Sequence, residues 1–424
     1  VNNFFKVKSL EHVSELAKDF FPVETELIPV SEAYGRVLAQ DVIAPENLPG
    51  FRRATMDGFA LAAQSSFGAS ESSPAWLEIA GNIRMGDIPD FKIKPGKAAG
   101  ISTGGMLPEG ADSVVMVEHT ELVGNSIDSI SGNISGDLSG DISIEVYKSV
   151  APLQNVIDAS EDFAKDEIAL KKGTYMRPQE QGLAAGLGFS EIKVYKRPKI
   201  AIISTGDEII PIEDKPGPGK IRDINTYTLS GFVREAFADP VIYGIVKDDL
   251  SALKKALEKA VRETDMILIS GGSSVGTRDF TVDAISALPD SKLLVHGIAI
   301  SPGKPTILAK AGKKPIWGLP GQVASAMVVL KIVIVPFINH IKGLRNKIRP
   351  VKIPAVLSRN IASARGRRDF IRISLEYKDK QIVAKPVLGK SGLIRTMIHA
   401  DGLLEIGEDV EGMEKGSLVE IILL

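Results

Sequence analysis

The chain has 424 residues, 44% of them hydrophobic, with 51 lysines and arginines against 53 aspartates and glutamates. That is material for two or more cores at the usual domain size of roughly 100–200 residues, and the charge balance argues against nonspecific nucleic-acid binding. The absence of cysteine excludes disulfides, thiolate catalysis and cysteine metal sites and suits the cytoplasm, and the five histidines show no paired zinc-ligand spacing.

Near the N-terminus, Leu10, Val13, Leu16, Ala17 and Phe20 mark an amphipathic helix capped by Ser9, without the continuous apolar core of a signal peptide. Residues 1–44 read as largely helical, and Ala44-Pro45-Glu46-Asn47-Leu48-Pro49-Gly50 as a linker. Short alternating runs rich in Gly and Ser predict a small β-rich unit over 51–150. It contains a tetrapeptide near-repeat between Gly124 and Ile142, of which Ser131-Gly132-Asn133-Ile134 is one copy; the pattern reads as an exposed hairpin or loop enlarged by duplication. A helical return follows at 152–188, where Arg177-Pro178 starts a helix carrying Leu183, Ala184 and Leu187.

Residues 196–343 alternate strand and helix patterns. Apolar runs at 199–203, 241–246, 266–269, 298–300 and 316–317 predict strands of a parallel sheet, buried on both faces. Helices fall between them, one opened by Asn225-Thr226 with Leu229, Phe232, Val233 and Phe237 on one face. Another carries Leu253, Ala256, Leu257, Ala260 and Val261. The apolar stretch 324–341 is preceded by Gln322 and interrupted by Lys331 and Pro336, so it reads as a buried helix rather than a membrane span. After Pro350, short strands at 370–375, 382–387 and 418–422 predict a small barrel.

In a right-handed parallel sheet the loops after the strands lie along one edge, where open α/β sheets bind ligands. Glu208, Asp248, Gly271, Asp279, Lys304 and Gly321 are therefore expected in one crevice. Crowded acids at Asp207, Glu208, Asp248, Asp249 and Asp279 imply a hard cation, with magnesium the best fit because it takes one or two carboxylates and completes its shell with water and phosphate. Asp248 or Asp249 is equally placed to cap the helix that follows. The loop Gly271-Gly272-Ser273-Ser274-Val275-Gly276 can admit a phosphate to its backbone N–H groups, but it matches neither GxGxxG nor GxxxxGK[ST].

Ser204-Thr205-Gly206-Asp207-Glu208, Ser270-Gly271-Gly272-Ser273-Ser274-Val275-Gly276 and Pro302-Gly303-Lys304-Pro305 resemble the molybdopterin-binding domain of molybdenum cofactor biosynthesis proteins. Smaller adenylyltransferases share that domain. Ala54-Thr55-Met56-Asp57-Gly58-Phe59-Ala60 and the run from Ser102-Thr103-Gly104-Gly105 to Met116 are similar to signatures of molybdopterin molybdenumtransferase, the family that includes the E domain of gephyrin. The resemblance runs nearly end to end.

The resemblance implies four domains: a discontinuous helical linker domain (1–44 with 151–190), a β-rich domain (45–150), the α/β domain (191–345) and a C-terminal β-barrel (346–424). It implies an elongated homodimer, with molybdopterin adenylyltransferase and molybdoenzyme apoproteins or chaperones as further partners. The implied activity takes adenylylated molybdopterin and molybdate or tungstate, with magnesium, and releases AMP. Glu208, Asp248 and Asp279 would carry the metal, and Asp57, Thr103 and Asp162 match further catalytic positions, the first two reaching the site from the other subunit. Thr205, Gly206, Gly271, Gly272, Ser273, Pro302, Gly303, Lys304, Pro320 and Gly321 would hold the pterin and phosphates; Ser325, Arg367 and Ser391 match positions linked to the oxyanion.

The chain departs from the family pattern at four places. Ser301 stands where a lysine is common, a second lysine is missing from 295–300, Gln322-Val323 replaces Asn-Pro, and Ser160 replaces a glycine. A missing ammonium at contact distance forgoes at most about 4 kcal/mol of attraction at an effective dielectric near 20. That leaves tungstate handling, an adenylyltransferase-like activity and a noncatalytic scaffold as alternatives to molybdate insertion.

Overall fold

The computed structural model describes residues 7–124, 142–271, 280–345 and 350–424. The near-repeat and Gly272, Ser273 and Asp279 lie outside the described residues. The chain divides into two compact units, Asp41–Lys171 with Gly182–Ser190, and Val1–Gln40 with Lys172–Gln181 and Glu191–Leu424.

The unit built around Asp41–Lys171 carries a six-stranded sheet in the order Ser113–Met116, Gly58–Leu61, Lys97–Ile101, Ala75–Ile83, Ser143–Val146, Thr120–Val123. Only Ala75–Ile83 and Lys97–Ile101 pair in parallel. Side chains alternate across a strand, so Phe59 and Leu61 pack into one core with Leu77 and Ile144, while Ala60 joins Ile83, Ile101 and Val114 in a second core. Gly58 has no room for a side chain, since a Cβ there would lie 1.9 Å from the Val115 carbonyl oxygen.

Two stretches hold less helix than their patterns suggest. The N-terminal helix is Leu10–Glu15, with Ser9 Oγ accepting from the His12 N–H at 3.2 Å, followed by one tight turn over Leu16–Asp19. Pro22 then forces its predecessor into extended backbone, and Thr25–Pro29 pairs with Glu191–Tyr195. Between 152 and 177 the chain runs in turns and short strands, with Val156–Ile157 and Ile168–Leu170 pairing to Arg53–Ala54 and Val42–Ile43. Left-handed backbone at Leu153, Asn155, Ser160 and Asp166 interrupts any helix there. The helix Pro178–Gly186 begins where expected.

In the larger unit, the α/β sheet runs Asp239–Val246, Lys199–Thr205, Met266–Ser270, Lys314–Leu319, Ile307–Ala311, Ser291–His296. The first four are parallel, and Ile307–Ala311 is antiparallel to both its neighbours, so the sheet is mixed rather than wholly parallel. One face packs Ile200, Ile202, Leu268 and Trp317 against Leu229, Val233 and the apolar helix. The other packs Ala201, Ile203, Ile267 and Ile269 against Leu253, Leu257 and Ala260. Burial on both faces explains the uninterrupted apolar strands.

The apolar helix spans Val323–Ile341 and is a core helix, with Ala324, Val328, Leu330, Ile334 and Ile338 inaccessible in the same core as Trp317. Its middle, Leu330–Ile334, widens into a π-turn just before Pro336. Proline has no N–H for the carbonyl four residues back, and the wider turn accommodates that loss.

The 298–300 run does not join the α/β sheet. Ile300–Ser301 pairs in parallel with Arg368–Asp369 at the margin of the C-terminal sheet. That sheet closes on itself: Arg368–Lys378, Gln381–Pro386, Lys352–Leu357, Leu418–Leu423 and Gly402–Ile406 pair in turn, and the last returns to the first. Inward-facing Leu357, Ile373, Ala384, Leu404 and Ile421 fill the five-stranded barrel.

Gly58→Ala is expected to cost at least about 1–3 kcal/mol in urea unfolding, because backbone must move to admit the methyl group. Ser160, at φ 62°, should respond oppositely. Ser160→Gly relieves left-handed strain of about 1–2 kcal/mol against a glycine entropy cost of about 0.5–1 kcal/mol, so a net gain in midpoint is the expected outcome.

Candidate active site at the carboxyl edge of the α/β sheet

Three of the parallel strands end side by side in backbone that carries almost no side chain. Gly271 follows Met266–Ser270 at φ 105°, and a Cβ on it would lie 2.1 Å from the Thr205 carbonyl oxygen. A Cβ on Gly321, after Lys314–Leu319 and Pro320, would lie 3.6 Å from the Gly271 Cα. Gly206 sits at φ 146°, and its Cβ would lie 2.7 Å from a Glu208 carboxylate oxygen, so that carboxylate folds back over the strand end. Thr205 is buried, and its hydroxyl has no hydrogen-bond partner among the described residues.

Behind these glycines lies a buried polar network. Ser204 Oγ donates to Asp223 Oδ1 at 3.0 Å, the Thr226 N–H donates to the same oxygen at 3.0 Å, and Thr226 Oγ1 donates to Asp223 Oδ2 at 2.6 Å. Asn225 Nδ2 donates to Ser270 Oγ at 2.6 Å and to the Gly321 carbonyl at 2.9 Å. The network ties the ends of three strands to the start of helix Asn225–Glu235. Neither Asp223 nor Asn225 was legible as a site residue: Asn225-Thr226 reads only as a helix opening, and nothing local reveals that the amide faces Ser270 and Gly321.

The acids separate by role. Asp249 Oδ1 accepts the Ala252 N–H at 2.7 Å and caps helix Leu250–Glu263, which leaves Asp248 uncommitted to the helix. The Asp248 N–H faces Asp207 Oδ1 at 3.4 Å. Burial pushes the Asp248 carboxyl above the ordinary aspartate value, and the negative charges of Asp207 and Glu208 add to that rise. Among the described residues no three acids or histidines stand close enough to hold a metal ion by themselves. Glu208 and Asp248 are electrostatic neighbours, which fits a cation sharing its shell with water and phosphate, while Asp279 is outside the described residues.

The barrel and the core helix bring the oxyanion candidates into one unit. The Ala324 N–H donates to the Ser391 carbonyl at 3.0 Å, next to the buried Ser325. Arg367 Nε lies 3.0 Å from Asp369 Oδ1, an ion pair too poorly aligned to be a hydrogen bond, so both atoms keep hydrogen-bonding capacity. Ser363 Oγ donates to the other Asp369 oxygen at 2.7 Å. Arg372 supports the Ser391 loop by donating to the Gly389 carbonyl and to Thr396 Oγ1, both at 2.9 Å.

Lys304 reaches the carboxyl edge by a route other than the expected one. It precedes Ile307–Ala311, and because that strand runs antiparallel, its start lies at the edge where its neighbours end. Gly303, at φ 119°, packs so tightly that a Cβ would lie 2.4 Å from Val329 Cγ2, and Thr306 Oγ1 donates to its carbonyl at 2.6 Å. Pro302 therefore starts a loop held by backbone, with the Lys304 side chain exposed.

In the other unit, Asp57 and Thr103 meet. The Thr103 N–H and hydroxyl both donate to Asp57 Oδ1, at 2.7 and 3.0 Å, and both residues are exposed. Asp162 stands on a different loop, where its backbone N–H donates to the Leu48 carbonyl at 3.1 Å.

Comparison with known proteins gives this geometry its context. Residues 7–188 match the family described as "MoeA N-terminal region (domain I and II)", 201–340 the "Probable molybdopterin binding domain", and 354–424 the "MoeA C-terminal region (domain IV)". Two crystal structures of Pyrococcus horikoshii molybdopterin biosynthesis MoeA protein are similar along the whole length. One is 32% identical with a TM-score of 0.81, covering 99% of this chain and 100% of its own. The other is 36% identical with a TM-score of 0.75, covering 99% of each. Molybdopterin molybdenumtransferase 2 of Mycobacterium tuberculosis is 30% identical over 414 residues, 96% of each chain. Matched from its first strands to its closing barrel, the chain belongs to the MoeA family of molybdopterin molybdenumtransferases.

Proposed function

We propose that the chain inserts molybdate, or tungstate in its place, into adenylylated molybdopterin with magnesium-dependent release of AMP. The observation that carries this reading is the convergence of Asp207, Glu208 and Asp248 beside the side-chain-free backbone of Gly206, Gly271 and Gly321. A phosphoanhydride fits such a place, because backbone can approach it closely while acids hold a cation against it. Glu208, Asp248 and Asp279 would hold the magnesium, which would supply positive charge against the phosphoanhydride. Thr205 offers its hydroxyl, unpaired among the described residues, to a phosphate oxygen. Ser325, Ser391 and Arg367 receive the tetrahedral oxyanion, with Lys304 beside them. The proposal includes the four-domain division at 44/45, 150/151, 190/191 and 345/346, and a homodimer acting in the cytoplasm, in which Asp57 and Thr103 serve the site of the partner subunit and Asp162 is a further catalytic residue. Incubation with adenylylated molybdopterin, magnesium and either oxyanion, following AMP, tests it; ATP-dependent adenylylation of molybdopterin instead would establish the adenylyltransferase reading.

Asp248 links this reading to pH. Its folded pKa is raised, so between the ordinary and the raised value the folded state binds the proton more tightly, and stability falls as pH rises through that window. Asp248→Asn should therefore raise the melting temperature of the metal-free protein at pH 7 and have little effect well below the ordinary aspartate range. Magnesium should stabilise the parent protein more at pH 7 than at pH 4, where protons compete, and should stabilise the Asn variant less. Thermal scans with and without magnesium check all three.

Arg367 meets the oxyanion in competition with Asp369. Arg367→Ala should raise the molybdate or tungstate concentration needed for half-maximal AMP release at least roughly tenfold, the loss of a charge-assisted hydrogen bond of about 1.5–3 kcal/mol. Ser301→Lys should lower it, because strand register sets residue 301 beside Asp369, where an ammonium would neutralise that carboxylate and free Arg367.

Assembly is tested by mixing. Asp57→Ala and Glu208→Ala, each inactive alone, should regain part of the activity when their subunits exchange, since one hybrid site retains both acids. Exchange without recovery would assign Asp57 and Glu208 to the same subunit's site.

A further inference from the structure

Two buried side-chain oxygens at the carboxyl edge lack a hydrogen-bond partner among the described residues: Thr205 Oγ1 and Asn225 Oδ1. Thr205 is 2% exposed and Asn225 6%. Chemistry settles which way the Asn225 amide faces, because a carbonyl only accepts and the Gly321 carbonyl is 2.9 Å from Nδ2. Both Nδ2 hydrogens are thus spent, on Gly321 and on Ser270 Oγ, and Oδ1 is left without a donor. Such a buried acceptor costs about 1–3 kcal/mol unless something supplies a proton to it. The neighbouring strand ends are bare backbone: Gly271 lies against Thr205 and Gly321 against Gly271, and neither glycine carries a side chain that could supply the donor.

We propose that Asn225 is a binding residue of this site, its Oδ1 accepting a hydrogen bond from an N–H or O–H of the bound ligand. The inference rests on the reading of the crevice as the adenylylated-molybdopterin site and adds a residue to it. A phosphate oxygen is the wrong group for Oδ1, because two acceptors would face each other without a proton between them. Donors exist on both organic ends of such a ligand, the amino and ring N–H groups of the pterin and the amino and hydroxyl groups of the nucleoside. Thr205 Oγ1, which donates as well as accepts, takes the phosphate. Asn225 therefore distinguishes ligands by a donor group, while its Nδ2 holds the ends of two strands at the spacing the ligand requires.

The test is equilibrium binding to the full chain with magnesium and without oxyanion, using adenylylated molybdopterin, molybdopterin and AMP as separate probes. Ser270→Ala removes one Nδ2 partner and leaves Oδ1 in place, so it reports the clasp alone and is expected within about threefold of the parent. Asn225→Ala should bind adenylylated molybdopterin at least roughly tenfold more weakly than Ser270→Ala at a similar melting temperature. The loss should reappear with AMP if the donor is on the nucleoside, or with molybdopterin if it is on the pterin. Asn225→Leu, which keeps the volume and likewise removes Oδ1, should show the same loss and serves as the second variant should the alanine variant not fold. Affinities of Asn225→Ala, or of Asn225→Leu in its place, equal to those of Ser270→Ala for all three probes would overturn the proposal. Failure of the parent protein to bind any probe would instead overturn the assignment of the crevice.

Discussion

The candidate site depends on one close approach, Gly271 against the backbone of Thr205. Two neighbouring parallel strands end together, and a single Cβ between them would lie 2.1 Å from a carbonyl oxygen. Because no side chain can stand there, the strand ends form a floor of peptide groups, and Gly321 extends that floor from the next strand. Polar groups gather on this floor: Glu208 folds over Gly206, Asn225 clasps Ser270 and Gly321, and the Thr205 hydroxyl is left without a partner among the described residues. A methyl group at Gly271 would separate the strands and dissolve that arrangement at once.

The charges follow from which acids are already spent. Asp223 is buried but accepts three hydrogen bonds from Ser204 and Thr226, so it behaves as scaffold. Asp249 is committed to a helix N-terminus. Asp248 has no such partner and is pushed up by burial and by its neighbours Asp207 and Glu208, so an arriving cation gains what a proton would otherwise gain. On the barrel side Arg367 is held by Asp369 in a poorly aligned pair, which keeps the guanidinium in place without exhausting its donors. The Asp248 carboxylate and the Arg367 guanidinium are thus both left with binding capacity among the described residues.

Helix Asn225–Glu235, helix Leu250–Glu263 and the apolar central strands were plain in the residues, because burial on one or two faces imposes a period that composition alone reveals. The 298–300 run shows the limit of that reasoning. Three apolar residues before a proline look like any buried strand, yet Ile300–Ser301 pairs with the barrel, and Lys304 reaches the crevice edge only because Ile307–Ala311 runs antiparallel. Strand direction is a property of partners, and the sequence does not name them. The stretch from 152 to 177 failed as helix for a local reason, since four residues with left-handed backbone are ordinary Leu, Asn, Ser and Asp, which carry no marker of φ comparable to glycine.

From residue order alone the chain declares its family, its α/β unit, its barrel and the strand-end loops where ligands belong. Those features are written in glycines, apolar periods and signature runs, each of which acts over a few residues. Which acid caps a helix and which stays free, that Arg367 shares its charge with Asp369, and that Asn225 Oδ1 is left without a partner among the described residues were decided by tertiary structure. The physical reason is that hydrogen bonding and desolvation are settled by atoms from distant segments: Asn225 meets Ser270 and Gly321, forty-five and ninety-six residues away, and no local pattern records that meeting.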